Sequence, residues 1–303
     1  MVAFDLGSNT LRAVKINCET KEREKEYEKI VKTADGLQRS GEISKESTNR
    51  VIEAIKEAKK TLEIDEDEEI KAVATAALRI ATNSEKVLNR IKKETGIEFE
   101  VISGVEEANY TAYAVNEALK KMGKCNDDFI LLDLGGASSE LYIKKQERSF
   151  VKSFNIGIVT LTQKYKTIEE VQDAITEETK DVKKFIEEIY EKFSKPKVFV
   201  STAGTATTLA AFLQGMDYDS YDYKKINGYK INIMQIENAL ETLLSYDEKE
   251  RNRWVGVGRG ELIFSGIIIL THILKLSGFS EMIVVDDGLR EGVALFGCKK
   301  ALI

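Results

Sequence analysis

One short sequence motif occurs twice, in nearly the same form, in this chain of 303 residues. Residues 5–10 read DLGSNT, and residues 133–140 read DLGGASSE. Each stretch follows a short apolar run, VAF in the first case and FILL in the second. The two stretches predict the same strand–turn–strand unit at two places, and this recurrence indicates an internal duplication.

The segments that follow each turn recur in the same order. Each half reads as strand–strand–strand–helix–strand–helix–strand–helix, and the second half carries extra helices. This order predicts the α/β class, with a mixed sheet in each half and helices on the sheet faces. We expect an N-terminal domain over 1–120, a C-terminal domain over 121–303 and an inter-domain cleft, with the final helix, about 288–303, a candidate to pack back onto the first domain. The alternative is a single doubly wound sheet in which the repeated order is chance.

Apolar periodicity places the longer helices. It predicts helices over 44–61, 106–122, 168–193 and 259–276. Ser103 precedes Glu106 by three residues, which is the spacing of a capping box. Glu106 is therefore assigned to helix capping, and Arg259 is expected to begin its helix.

Charge and hydropathy exclude several function classes. The formal net charge is −6, which argues against nucleic acid as a partner. The longest apolar stretch, around 262–274, is too short and too interrupted to span a bilayer, so no membrane partner is expected. No signal peptide precedes the first strand, and we expect a cytoplasmic protein.

Histidine and cysteine usage excludes further kinds of site. The single histidine, His272, lies in an apolar helical run and is expected to be a core or interface residue, which argues against a Ser-His-Asp triad and a histidine metal cluster. Cys18, Cys125 and Cys298 lie far apart and form no CxxC pair. We therefore expect neither a zinc site nor a disulfide framework, and a reducing compartment fits this pattern.

The two turns carry groups that bind phosphate. Glycines let backbone N–H groups turn toward an anion, and hydroxyls add further donors. The candidate residues are Gly7, Ser8, Asn9 and Thr10 in the first turn and Gly135, Gly136 and Ser138 in the second. Asp5 and Asp133 end the preceding strands, where carboxylates suit Mg²⁺. The alternative is that each turn is only a tight hairpin, since the same residue types are common in turns.

A third segment of glycine and hydroxyl residues is STAGTATTLAA, at 201–211. It follows a strand and opens a helix, so the amides around Gly204 and Thr205 are expected to face a bound anion. No Walker A lysine motif is present, which excludes a P-loop enzyme.

An ordered set of motifs along the whole chain resembles one family. The paired loops resemble the actin/Hsp70/sugar-kinase superfold. The set resembles the exopolyphosphatase / guanosine pentaphosphate phosphohydrolase (Ppx/GppA) family. The motifs that carry this resemblance are TAALRIATN (75–83), VISGVEEA (101–108), LLDLGGASSELY (131–142), FNIGIVTLT (154–162), STAGTATTLAA (201–211) and DGLREGVALF (287–296).

The resemblance implies a fold, an activity and roles for individual residues. The fold is a pair of duplicated ribonuclease H-like, actin-like ATPase domains. The activity is Mg²⁺-dependent release of terminal phosphate from inorganic polyphosphate or guanosine pentaphosphate. Glu107 matches the general base, Asp133 and Glu140 match metal-side carboxylates beside Asp5, and Arg12, Arg79 and Arg259 match basic substrate-binding positions. Arg290 and Glu291 belong to the closing LREG signature, as an ion pair or as ligand contacts.

The resemblance leaves open the identity of the metal ion, the oligomeric state and whether the protein turns over its ligand. K⁺ or Mn²⁺ are other ions that it allows, and a homodimer is implied by resemblance alone. A single histidine cannot build the HD-type region of long members, so a short, two-domain member is expected. Ala137 replaces a glycine usual in the second loop. This replacement supports a third hypothesis beside the two hydrolase activities, a sensor that binds guanosine tetraphosphate or polyphosphate with little or no turnover.

Overall fold

A computed structural model describes residues 1–65, 67–124 and 127–301. Cys125 and the last two residues of the predicted final helix lie outside these described residues. The chain forms two compact units, one made of Met1–Ala114 with Gly288–Ile303 and the other of Val115–Asp287. The sequence placed the boundary at 120, whereas the two units divide within one helix, between Ala114 and Val115.

The first unit is built on a five-stranded sheet with the order β3-β2-β1-β4-β5. Its strands are β1 (Val2–Leu6), β2 (Thr10–Ile16), β3 (Arg23–Ile30), β4 (Ile70–Ala74) and β5 (Glu100–Val101). The first three strands are antiparallel, whereas β4 runs parallel to both β1 and β5. Its helices are α1 (Leu37–Ser40), α2 (Lys45–Thr61), α3 (Ala76–Ile80) and α4 (Ser84–Thr95); α5 (Gly104–Lys121) continues into the second unit.

The second unit repeats this arrangement on a sheet with the order β10-β11-β9-β6-β7-β8. Its strands are β6 (Asp128–Leu134), β7 (Ser139–Lys145), β8 (Arg148–Phe154), β9 (Val198–Thr202), β10 (Lys230–Asn232) and β11 (Glu281–Val284). Its helices are α6 (Ile158–Lys164), α7 (Ile168–Glu178), α8 (Lys180–Phe193), α9 (Ala203–Leu213), α10 (Tyr223–Ile226), α11 (Ile233–Ser245), α12 (Glu248–Val255) and α13 (Leu262–Leu276). Again three antiparallel strands are followed by strands parallel to the first, with β10 as an added antiparallel edge.

The predicted fold class is confirmed in each unit. Both are α/β structures with a mixed sheet and the same central strand order, so the duplication is correct and the single doubly wound sheet is wrong. The cleft stays a prediction. Among the described helices, none has the length and apolar character needed to cross a bilayer.

Two predicted helices differ from the observed ones for local reasons. The helix predicted over 168–193 is broken into α7 and α8 at Thr179, whose hydroxyl donates to the carbonyl of Ile175 at 2.7 Å. The helix predicted from Arg259 begins only at Leu262, because Gly256 and Gly258 take left-handed backbone angles just before it. Arg259 therefore lies in a loop, and its expected place at a helix start is wrong.

The last helix, α14 (Leu289–Ala301), belongs to the first unit. Leu289 and Val293 pack against Ala3 and Val14 on the sheet. Close approach to α5 explains Gly292, because a Cβ there would lie 2.0 Å from the carbonyl oxygen of Tyr110. The C-terminal segment thus covers one face of a sheet formed by the N-terminal strands.

A disulfide joins this helix to the turn between β2 and β3. Cys18 and Cys298 are bonded with their Cα atoms 5.1 Å apart, although they lie 280 residues apart in the sequence. The expectation of no disulfide is wrong, because sequence spacing gave no sign that the two ends of the chain meet in one unit. The inference of a reducing compartment loses its support with it.

A buried ion cluster holds the start of α14. Glu291 accepts the Gly288 N–H at 2.9 Å and pairs with Arg290 at 2.6 Å and with Arg23 at 3.0 Å. Arg290 also pairs with Glu26 at 2.8 Å. Burial alone would raise the pKa of the Glu291 carboxyl, but the charges of Arg290 and Arg23 outweigh it and lower that pKa to about 2. Of the two roles left open for Arg290 and Glu291, the structure shows the ion pair.

Loss of the disulfide is expected to destabilise the protein. Cys18→Ser, or a reducing agent added to the wild type, should lower the free energy of unfolding by roughly 2–5 kcal/mol, since a long loop is no longer closed. Thermal or urea unfolding with and without reductant measures this, and Cys125→Ser is the control that keeps the pair. Three free thiols titrated in the denatured, unreduced protein would contradict the pairing.

Acid is expected to remove the contribution of Glu291. Because the pKa of Glu291 is lowered in the folded state, the unfolded state binds the proton first as pH falls, so stability should drop between about pH 4.5 and 2. Glu291→Gln should flatten this slope and cost about 3–5 kcal/mol at neutral pH, because two arginines lose their buried partner.

Urea unfolding at several pH values measures both effects. Glu281→Gln, at an exposed carboxylate paired with exposed Lys230, should change the stability by less than about 0.5 kcal/mol. An acid slope that is the same in wild type and Glu291→Gln would show that Glu291 does not govern it.

Candidate active site

Both repeated turns are closed by the same backbone hydrogen bond. The Gly7 N–H donates to the Thr10 carbonyl at 3.0 Å, and the Gly135 N–H donates to the Ser138 carbonyl at 3.0 Å. Each turn joins the first and second strands of its sheet. A Cβ on Gly135 would lie 2.7 Å from the Ser138 oxygen, so this turn requires glycine for space. The two turns thus share the same backbone closure at the same place in their units.

In the second unit, the turn brings two carboxylates together. Asp133 on β6 lies directly opposite Glu140 on β7, and both are buried, with 9% and 2% of their surface exposed. Like charges that face each other across two strands repel. Two hydroxyls hold Glu140, since Ser138 Oγ and Ser153 Oγ donate to its Oε1 at 2.8 and 2.7 Å. Ser153, on β8, was missed because it lies outside every quoted motif, and only its strand register points to it.

This carboxylate pair fits a divalent cation. Carboxylate oxygens are the ligands that Mg²⁺ prefers, and Mg²⁺ commonly binds through one or two of them while keeping waters. A cation beside Asp133 and Glu140 would also offset the repulsion between them. Among residues 1–65, 67–124 and 127–301, no group of three or more histidine, cysteine or acidic side chains forms a metal cluster. The predicted ligand set of Asp5, Asp133 and Glu140 therefore stays a prediction.

In the first unit, the same register pairs a carboxylate with an arginine. Asp5 on β1 lies opposite Arg12 on β2, as Asp133 lies opposite Glu140. The Arg12 guanidinium also forms an ion pair with Glu28 of β3 at 3.0 Å. The first turn thus has a positive charge at the position where the second has a negative one, so the two turns are not interchangeable.

Ser8 and Asn9 are buried in the first turn. The Ser8 hydroxyl is enclosed, and within the part of the chain that the structure describes it meets no hydrogen-bond partner. Buried hydroxyls in folded proteins nearly always have a partner. The predicted phosphate-binding role of Ser8 stays a prediction.

Two adjacent glutamates at the start of α5 have different environments. Glu106 completes the predicted capping box, accepting the Ser103 N–H at 2.8 Å while its own N–H donates to Ser103 Oγ at 3.2 Å. The hydrogen bonds from the backbone and the side chain of Ser103 lower the pKa of the Glu106 carboxyl. Glu107 is buried instead, with 8% of its surface exposed. The cap therefore engages the first glutamate and leaves the second to other contacts.

Arg79 and Glu107 are brought together. Arg79 follows β4, at the end of α3, and its Nη1 donates to Glu107 Oε2 at 2.8 Å and to the Ile102 carbonyl at 2.9 Å. Arg79 therefore orients the carboxyl group of the predicted base.

The third loop begins with a strained residue. Ala203, the first residue of α9 and directly after β9, has φ of 67°, which costs an alanine about 1–2 kcal/mol. Gly204 and Thr205 follow in the first turn of α9. The Thr205 hydroxyl lies against Gly266 of α13, where a Cβ would approach it to 2.3 Å. A phosphate contact by Thr205 would therefore come from its main chain.

Arg259 lies beside an aromatic ring. Its guanidinium is 5.7 Å from the centre of the Tyr218 ring, in cation–π range. Gly256 allows this arrangement, because a Cβ there would lie 2.9 Å from the same ring. Tyr218 is thus a further aromatic residue near a predicted substrate-binding arginine, and no sequence signal singled it out.

The chain is similar to known phosphatases along most of its length. A model of the Ppx/GppA phosphatase family matches residues 22–300. Exopolyphosphatase 2 of Mycobacterium tuberculosis is 25% identical over 289 residues, covering 88% of this chain and 86% of that protein. The guanosine-5'-triphosphate,3'-diphosphate pyrophosphatase of Photobacterium profundum is 28% identical over 307 residues, covering 96% of this chain and 58% of that protein.

Relatives differ in length. The bifunctional 3-dehydroquinate synthase/phosphatase of Fusobacterium nucleatum is 26% identical over 310 residues, which cover 97% of this chain but 46% of that protein. The chain therefore spans about half the length of this relative and of the Photobacterium one.

Solved structures agree with the fold. The Ppx/GppA family member of Aquifex aeolicus is 30% identical, with a TM-score of 0.74 over 99% of this chain and 97% of that one. An exopolyphosphatase of Cytophaga hutchinsonii, 22% identical, shares the fold with a TM-score of 0.84. The family match covers most of the chain, and its motifs form the loops and the carboxylate pair described above. This chain belongs to the Ppx/GppA phosphatase family.

Proposed function

We propose that this protein is a phosphohydrolase that releases the terminal phosphate of inorganic polyphosphate or of guanosine pentaphosphate. The observation that carries the proposal is the environment of Glu107, a buried carboxylate held by Arg79 at 2.8 Å while its neighbour Glu106 forms the helix cap. A buried, oriented carboxylate at the end of a strand–helix connection is suited to general base catalysis. The names of the Mycobacterium and Photobacterium relatives supply the two substrate classes.

The proposed reaction is hydrolysis of a phosphoric anhydride. Glu107 accepts a proton from water, the water oxygen bonds to the terminal phosphorus, and the bond from that phosphorus to the bridging oxygen breaks. The products are orthophosphate and a substrate shortened by one phosphate. No covalent intermediate on the protein is needed, so the reaction requires neither a histidine nor a cysteine nucleophile.

The other site residues are proposed to bind the substrate phosphates and to stabilise their negative charge. Phosphoryl transfer depends mainly on positioning and on stabilisation of the phosphoryl oxygens. The amides of Gly136 and Gly204 would donate to those oxygens, since the Gly135 N–H already closes its turn, and Arg12 and Arg259 would bind substrate phosphates. Mg²⁺, held by Asp133 and Glu140, would supply positive charge to the phosphoryl group. Cytoplasmic location and a homodimer stay predictions.

The base is tested by a pair of adjacent substitutions. Glu107→Gln keeps a hydrogen-bond acceptor for Arg79 but cannot take a proton, so phosphate release should fall by about 10²–10⁴-fold. Phosphate release from long-chain polyphosphate and from guanosine pentaphosphate, measured side by side, gives both the effect and the substrate preference.

Glu106→Gln is the matched control, since it alters only the helix cap and should leave turnover within a few-fold of wild type. Turnover by Glu107→Gln close to that of wild type would remove Glu107 as the base. A wild type that binds either substrate with Mg²⁺ but releases no phosphate would refute the enzyme and favour the sensor.

Two substitutions on strand β6 test the proposed metal site. Asp133→Asn should raise the Mg²⁺ concentration for half-maximal turnover by about tenfold or more, because one of two carboxylate ligands loses its charge. Asp128→Asn, five residues earlier on β6 and paired with Lys145, is the control that should leave this concentration unchanged. An equal Mg²⁺ requirement in wild type and Asp133→Asn would exclude Asp133 as a ligand.

A further inference from the structure

The second turn is held from behind by the segment that follows β8. The Ile158 N–H donates to the Gly135 carbonyl at 3.0 Å, and the Val159 N–H donates to the Gly136 carbonyl at 2.7 Å. These donors are the first residues of α6, whose own first N–H groups have no partner inside the helix. The contact therefore satisfies the helix end and fixes two carbonyl groups of the turn at once.

Fixing these carbonyls also fixes two N–H groups. A peptide group is planar and trans, so the N–H of the next residue points opposite to the carbonyl. Because the Gly135 and Gly136 carbonyls point at α6, the N–H groups of Gly136 and Ala137 point away from it. Successive N–H groups aimed to one side form an anion-binding concavity. This orientation depends on the backbone alone, and the side chain of Ala137 does not alter it.

Gly157 allows the close contact. A Cβ at this position would lie 2.4 Å from the Gly136 oxygen, 2.5 Å from its carbonyl carbon and 2.6 Å from the Ala137 nitrogen. All three are backbone atoms, so no side chain can swing aside. The φ and ψ of Gly157, −153° and 165°, are open to any residue. The requirement for glycine therefore comes from space and is imposed by the turn.

Thr160 locks Gly157 in place. Its Oγ1 accepts the Gly157 N–H at 3.0 Å and donates to the Gly157 carbonyl at 3.0 Å. The ring formed by these two bonds fixes the peptide groups on both sides of Gly157. The distance between α6 and the turn is thus set by one hydroxyl and one missing side chain.

The first turn is held in the same way by the segment after β3. Its Ser8 carbonyl accepts the Ala34 N–H at 2.8 Å, and its Asn9 carbonyl accepts the Val31 and Lys32 N–H groups, both at 2.9 Å. The held carbonyls lie one place later in the turn than in the second unit. Helix α2 braces this segment, since Arg50 Nε donates to the Val31 carbonyl at 2.8 Å and Ser47 Oγ to the Lys32 carbonyl at 3.0 Å.

We propose that residues 31–34 and 157–160 are positioning segments that aim the amides of the two turns at phosphate oxygens, with Gly157 as the positioning residue of the second. Neither segment was assigned a role from the sequence. The inference rests on the proposed function, because it takes the ligand of the turns to be a phosphate chain. The inference adds that the affinity for the phosphate chain is controlled by residues that do not touch that ligand.

Gly157→Ala tests the proposal. Its Cβ should push the turn off its orientation, raising the KM and the Kd for long-chain polyphosphate by about tenfold or more, with the pH profile of kcat unchanged because Glu107 is untouched. A merely structural defect would lower the active fraction and thus kcat, leaving KM and Kd as they are. Equilibrium binding of polyphosphate provides the Kd and needs no turnover.

Gly278→Ala is the matched control. It replaces a glycine of the same unit whose φ is 75° and whose added Cβ would meet only Lys195, so it strains the backbone without touching the turn. Its KM and Kd should equal those of wild type.

A second pair covers the case in which Gly157→Ala fails to fold. Thr160→Val removes the locking hydroxyl and should raise KM and Kd in the same sense, whereas Thr160→Ser keeps the hydroxyl and should restore both.

The outcomes separate the inference from the proposed function. If the wild type is active and the KM and Kd of Gly157→Ala, or of Thr160→Val, lie within twofold of the wild-type values, the inference is overturned. The proposed function is then unaffected. A wild type that binds polyphosphate or guanosine pentaphosphate but releases phosphate from neither overturns the proposed hydrolysis, and the Kd values for the bound substrate still decide the inference. A wild type that neither binds nor hydrolyses either substrate overturns both.

Discussion

The first unit depends on a buried negative charge that needs partners from distant parts of the chain. Glu291 is enclosed, and an enclosed carboxylate without partners would cost several kcal/mol. Arg23 comes from the start of β3, while Arg290 is its neighbour on α14. The disulfide joins the same helix to the same hairpin at Cys298, about 10 Å further along the helix axis. Two attachment points on one helix fix both its rotation and its position along the sheet, which one contact could not do.

The two turns show how a duplicated site can diverge while its backbone stays the same. Their side chains differ, and the cross-strand partner of the aspartate is Arg12 in one unit and Glu140 in the other. What they share is made by main-chain atoms: the closing bond of each turn and the amides that hold its carbonyls. Backbone geometry tolerates side-chain change, so the aspartate can face an arginine in one unit and a second carboxylate in the other without loss of the turn itself.

Local sequence rules predicted the local features well. The capping box at Ser103 and Glu106 follows from three-residue spacing, and the shared strand order follows from the repeated element pattern. The contact between Arg79 and Glu107 was not predicted, because the resemblance gave each residue a separate role and 28 residues separate them. The disulfide, the need for glycine at 157 and the place of the Thr205 hydroxyl were not predictable. Each of these depends on which backbone segments meet in space, and no periodicity in the sequence records that.

The first unit is built from two segments that are distant in the sequence, and this affects its folding during synthesis. Its sheet is synthesised first, but the helix that covers one face of this sheet comes after the whole of Val115–Asp287. At typical translation rates the exposed sheet face waits roughly ten to thirty seconds for its cover. The second unit is continuous and can complete its core while the first is still open. The nascent chain therefore exposes an apolar face of these strands until α14 has been synthesised.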